Sequence, residues 1–194
     1  MKKIILSAMA VFAFGFTNAQ ETKFGVKAGG NLSSLRVDVE NVGNVVFNSN
    51  AGFQAGAFAE IKVDSKFAIQ PEVLYSYESS KFGLGGDEAK INLSYINVPV
   101  MAKYYASEKI SLQAGPQIGF LVAAKAKAEG ASEDIKDSFK STNFGLNFGL
   151  GYDFTENVIV DLRYNVGLSD ISEEEMAGGK LRTSGFSLSL GYKF

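Results

Sequence analysis

The 194-residue chain contains no histidine, no cysteine and no tryptophan. Without histidine it lacks the commonest general base and metal ligand near neutral pH. Without cysteine it has no thiol nucleophile, no thiolate metal site and no disulfide, and no acceptor for a lipid at a processing site. Charge of either sign is not in excess: Lys+Arg number 19 and Asp+Glu 21. This gives no electrostatic footprint for nucleic acid. Long apolar runs are also missing. The longest, residues 4–16, falls short of the roughly 20 residues of a spanning helix. If the rest of the chain enters a membrane, it must do so as a closed barrel, because only that and the helix satisfy every backbone polar group in lipid.

The amino end has the pattern of an export signal. Lys2 and Lys3 precede the apolar run, and Thr17-Asn18-Ala19 ends it on a small residue. This predicts a signal peptide over 1–19 and one domain over 20–194.

Downstream, apolar residues alternate with polar or small ones. Phe144, Leu146, Phe148, Leu150, Tyr152 and Phe154 are separated by Gly145, Asn147, Gly149, Gly151 and Asp153. A period of two puts the first set on one face of a strand. Eight such segments are present, and the last carries Phe186, Leu188, Leu190, Tyr192 and Phe194. Short connections at 64–66, 106–109 and 155–157 alternate with long polar ones at 33–50, 79–90, 123–141 and 170–180. This predicts an all-β fold: an eight-stranded antiparallel up-and-down transmembrane β-barrel with tight periplasmic turns, long external loops and both termini periplasmic. A soluble ligand-binding barrel is the competing architecture, but it would turn its bulky apolar face inward. Here that face carries no charge. The other carries Lys27, Gln54, Glu60, Lys62, Gln70, Glu72, Lys103, Gln113, Gln117, Asn147, Asp161, Arg163 and Asn165 among many glycines and serines. Aromatics fall in two bands, with Phe24, Phe67, Tyr104, Tyr152, Phe154, Tyr192 and Phe194 near the short turns. Tyr75, Tyr77, Phe120 and Phe144 lie toward the long loops, as girdles at two lipid interfaces would. Pro71, Pro99 and Pro116 lie within strands, which predicts bulges.

Several stretches resemble the outer-membrane β-barrel domain family that includes PorT-like proteins, related in architecture to the OmpA-like transmembrane domain. They are Gln70-Pro71-Glu72-Val73-Leu74-Tyr75-Ser76, Tyr95-Ile96-Asn97-Val98-Pro99-Val100, Gly115-Pro116-Gln117-Ile118-Gly119, Asp161-Leu162-Arg163-Tyr164-Asn165-Val166-Gly167-Leu168 and Leu190-Gly191-Tyr192-Lys193-Phe194. The resemblance implies an outer-membrane location and an eight-stranded barrel, without a defined activity. PorT itself is tied to a secretion apparatus, so an accessory role there is one implication. Leu188, Leu190, Tyr192 and Phe194 resemble the carboxy-terminal signal read by the barrel-assembly machinery, which with outer-membrane lipid makes up the expected partners.

No constellation points to catalysis, a metal or a cofactor, so the chain reads as a non-enzyme. The glycines at 145–151 recur with period two and lack the strand–loop–helix context of a phosphate loop. The lumen charges are the sharpest lead. Counted up from the short turns, Glu72 and Arg163 stand at one height on opposite strands, with Asp161 nearby. Lys27 and Glu60 stand at similar heights on adjacent strands. Buried charges require partners, so these five residues predict an ion-paired plug, with a switchable gate as the alternative. The mixed-charge loop at 123–141 suits a solvated external loop or a partner surface. The expected role is therefore structural or interactive. A narrow channel for ions or a small solute is the alternative, since an eight-stranded interior holds side chains or one small ligand.

Overall fold

The computed structural model describes residues 21–39, 43–46, 48–84, 87–128, 131–173 and 179–194; the predicted signal peptide lies outside them. The strands are β1 (Thr22–Val39), β2 (Gly43–Val46), β3 (Asn48–Lys62), β4 (Phe67–Leu84), β5 (Asp87–Tyr105), β6 (Ile110–Ala128), β7 (Ala131–Asp134), β8 (Thr142–Asp153), β9 (Val158–Gly167) and β10 (Gly179–Lys193). β2 and β7 are short additions that pair only with β1 and β6. The eight long strands pair in sequence, all antiparallel, and β10 returns to β1 along a register from Gly25↔Lys193 to Val39↔Gly179. The eight long strands thus close into a barrel, which removes the edges an open sheet would present.

Its faces are inverted relative to a soluble barrel. Phe148, Leu162 and Leu188, at mid-height, are 50%, 47% and 57% exposed, while Arg163 and Glu72 are 5% and 2% exposed. Exposed apolar side chains in a continuous band are affordable only against lipid. Ring pairs Phe67–Tyr104 (5.1 Å) and Tyr192–Phe194 (5.7 Å) mark the turn end, and Phe53–Tyr77 (5.6 Å) and Tyr164–Phe186 (4.6 Å) stand toward the loop end.

Two expectations are corrected. The segments 33–50, 79–90 and 123–141 are largely strand: β1 runs to Val39, β4 to Leu84 and β6 to Ala128. The alternation persists there with its sense reversed. Leu35, Leu93, Tyr95, Leu121 and Leu181 point inward and are buried, whereas Arg36 and Lys125 point outward and are exposed. Above the lipid the wall meets water, so its outer face turns polar and its interior apolar. The prolines, moreover, produce no bulge. Register is the same on both sides of each, and the ladder instead lapses over two positions: at 59–60 opposite 70–71, 72–73 opposite 98–99, and 100–101 opposite 115–116. Proline lacks one N–H, and in an antiparallel pair each N–H serves one neighbour only. One local gap therefore suffices. The register shifts that do occur lie elsewhere, at Asn50/Phe53 and Ser94/Tyr95.

Candidate functional site: a sealed lumen

The inward-facing residues stack in four layers. At the turn end is an open cup of about 860 Å³, lined by Lys23, Lys62, Tyr105, Asp153 and Lys193 among others. Above it lies a layer of buried ions. Arg163, on β9, donates from Nη1 to Glu72 Oε2 (2.9 Å) and from Nη2 to Glu72 Oε1 (2.7 Å), spanning the barrel to β4. Bidentate geometry of this kind gives the strongest and most directional ion pairs. Lys27 Nζ, from β1, donates to Glu72 Oε1 (3.0 Å) and Asp161 Oδ2 (2.7 Å), and Asp161 also accepts from Gln113 Nε2 (2.6 Å). Lys27 thus turns to Glu72 and Asp161 rather than to Glu60. Its register partner on β3 is Gly56, four residues above Glu60.

Glu60 belongs to a second group, in which Lys103 Nζ donates to Glu60 Oε2 (2.6 Å) and Gln70 Oε1 (3.1 Å). Lys193 lies 3.1 Å from Asp153 Oδ2 and 3.6 Å from Glu60 Oε1. Gln70 Nε2, donating to Glu72 Oε1 (2.6 Å), joins the two groups. The network balances Lys27, Lys103, Arg163 and Lys193 against Glu60, Glu72, Asp153 and Asp161. Lys103, Gln70 and Lys193 were not singled out as ion partners from the sequence, because height along a strand is readable there but the stagger between strands is not. Phe58, Leu74, Met101 and Ile159 also point inward and are buried beside the ions. Lys27 Nζ sits 5.4 Å from the Phe58 ring centroid, a cation–π distance. The glycines leave the room this needs: a Cβ on Gly149 would lie 2.7 Å from Arg163 Cγ.

The third layer is a small polar chamber of about 40 Å³, to which Asn31, Glu78, Asn97, Gln117, Asn147 and Asn165 contribute. The fourth is an apolar lid in which Leu35, Leu93, Tyr95 and Leu121 of the wall pack with Phe139 and Ile171 from the loops. Backbone bonds hold those loops in place: Lys140 N–H to Ile171 O (2.8 Å), Ile171 N–H to Leu181 O (2.8 Å) and Glu173 N–H to Ser138 O (3.0 Å). Asp170 anchors the turn by accepting from Ser172 N–H (3.1 Å) and Leu181 N–H (3.0 Å). Partial burial opposes its charge, but these two N–H groups and Lys140 outweigh that and hold its carboxyl below the usual carboxylate range.

Leu188, Leu190, Tyr192 and Phe194 all face outward, at 57%, 59%, 49% and 70% exposure. Among the described residues no group of three or more acidic side chains converges as a metal site would require.

An inside-out barrel of eight strands with aromatic girdles and a filled lumen defines the class as a transmembrane β-barrel of the outer-membrane type. The chain belongs to the outer membrane protein beta-barrel domain family, whose model matches residues 18–173, and that membership implies an outer-membrane location. Among curated proteins no sequence matches. The fold is similar to that of Ail, the attachment invasion locus protein of Yersinia pestis, at 17% identity and a TM-score of 0.50 over 90% of this chain and 100% of that one. It is likewise similar to neisserial surface protein A, at 16% identity and a TM-score of 0.52 over the same shares. The narrower PorT-like assignment is not supported by these matches.

Proposed function

We propose that this outer-membrane barrel is a closed, membrane-anchored scaffold that acts through its external surfaces and not through its lumen. The observation that carries this reading is the bidentate Arg163–Glu72 pair, braced by Lys27 and Asp161, across the barrel's middle. A solute on the axis would have to break several charge-assisted bonds in a desolvated interior, and removing one member of such a group costs roughly 3–5 kcal/mol. The apolar lid presents a second obstacle, since a constriction of this kind excludes water. In this reading the short turns and both termini face the periplasm, and the walls of β1, β4, β5 and β6 carry the working surface outward. Leu188, Leu190, Tyr192 and Phe194 serve recognition by the assembly machinery before they meet lipid.

Planar-bilayer recording of the refolded protein tests the reading. Neither the wild type nor Arg163→Ala is expected to give discrete conductance steps, because the lid persists in both. Steps in the wild type would establish a channel. Steps confined to Arg163→Ala would make the ion layer a gate.

A further inference from the structure

Every carboxylate of the ion layer has a basic partner within 3.1 Å. Glu78 has none. Half-buried, it projects from β4 into the chamber, and among the described residues its one hydrogen bond is from Ser76 Oγ, at 3.5 Å. A carboxylate enclosed without a counter-charge is costly. The chamber walls offer further oxygen. Asn97 Oδ1 is buried with no hydrogen-bond partner, while its Nδ2 is committed to Ser76 Oγ (2.6 Å). Gly119 lets two amide oxygens crowd together, for a Cβ there would collide with both Asn97 Oδ1 and Asn143 Oδ1. A carboxylate with no basic partner among the described residues and an unused amide carbonyl thus line the same polar chamber.

We infer that this chamber is a binding site for one small, partly dehydrated monovalent cation of the sodium class, held by the Glu78 carboxylate and Asn97 Oδ1. The charge arithmetic selects the valence. One carboxylate balances one positive charge, whereas hard divalent cations are generally held by more than one carboxylate or by substrate phosphates. Size selects the ligand. About 40 Å³ accommodates a bare ion with a water, a single water needing about 10–15 Å³ by that measure; it excludes organic cations. The amide chain Asn165 Nδ2 to Asn147 Oδ1 (3.2 Å) and Asn147 Nδ2 to Gln117 Oε1 (3.0 Å) fixes the surrounding side chains. The site is therefore preorganised rather than assembled around the ion. The cation sits between the ionic layer and the lid and stabilises the folded state by mass action.

The test is urea-induced unfolding and refolding in lipid vesicles at constant ionic strength, with sodium, potassium or N-methylglucamine as the sole cation. The wild-type midpoint is expected to rise with sodium concentration and to be lowest in N-methylglucamine. Glu78→Gln keeps the shape and removes the charge, and its midpoint is expected to be the same in all three. Should that variant fail to fold, Gly119→Ala, whose methyl forces Asn97 Oδ1 from its place, is expected to reduce the sodium dependence. A thallium(I) soak of the crystallised wild type reads the site directly, with one anomalous peak expected between Glu78 and Asn97. A wild-type midpoint indifferent to the cation overturns the inference, because Glu78 is then neutralised by a proton. So does an unchanged cation dependence in Glu78→Gln.

Discussion

Glu72 is the residue on which the interior converges, since it accepts from Arg163, Lys27 and Gln70 at once. Glu72→Ala leaves Arg163 and Lys27 sharing Asp161 alone, in a space that water reaches poorly. Removing one partner of a buried pair costs roughly 3–5 kcal/mol, and a loss of that size is expected in the urea unfolding free energy in vesicles. Glu156, at the rim of the turn-end cup, is expected to tolerate alanine within about 0.5 kcal/mol, as surface positions do. The sequence disclosed the inward direction of Glu72, Asp161 and Arg163, because a period of two leaves no freedom about which face a residue takes. It also disclosed that Glu72 and Arg163 share a height, because both can be counted from tight turns. It did not disclose that Lys27 passes over Glu60, nor that Gln70 bridges to Lys103. Those contacts depend on the slant of one strand against the next, and no single-strand pattern encodes that slant. Glu78 was invisible for another reason: only three-dimensional closure shows that among the described residues no basic side chain bonds to it.

At the level of the strand, eight alternating segments were readable because lipid on one side and a narrow interior on the other impose a strict alternation. The upper wall was not, since there the rule reverses. Serine, asparagine and lysine outside with leucine inside reads as a polar loop when apolar-out is the template being sought. The prolines misled similarly: a rule framed for a fully bonded ladder foretold bulges, whereas each costs one bond and leaves the register intact. The loops that carry Phe139 and Ile171 into the lid depend on Asp170, and their acid response follows from the lowered carboxyl. A group whose acidity is strengthened by folding contributes stability above its unfolded value, near 3.9. That contribution is lost as pH falls through the folded value. Hydrogen-exchange protection of the Lys140 and Ile171 amides is therefore expected to hold at neutral pH and to drop below about pH 4. In Asp170→Asn it is expected to be reduced already at neutral pH.

For the molecule as a whole, orientation in the membrane follows from the exposed belt that includes Phe148, Leu162 and Leu188. Leu188→Lys puts a charge near the bilayer midplane and is expected to lower the folding free energy in vesicles by about 2–4 kcal/mol. Ser184→Lys, beyond the upper girdle, is expected to cost less than about 1 kcal/mol, and comparing the two measures how deep each position lies. The height of the wall has a mechanical consequence. β5 has 19 residues, a path of about 63 Å at 3.3 Å per residue, and a tilt near 40° leaves about 48 Å of rise against an apolar belt about 25 Å tall. Most of the surplus stands at the end opposite the tight turns, as a strand-built turret clear of the headgroups. Whatever docks on its described wall meets backbone already paired in strands, so little ordering entropy opposes the encounter.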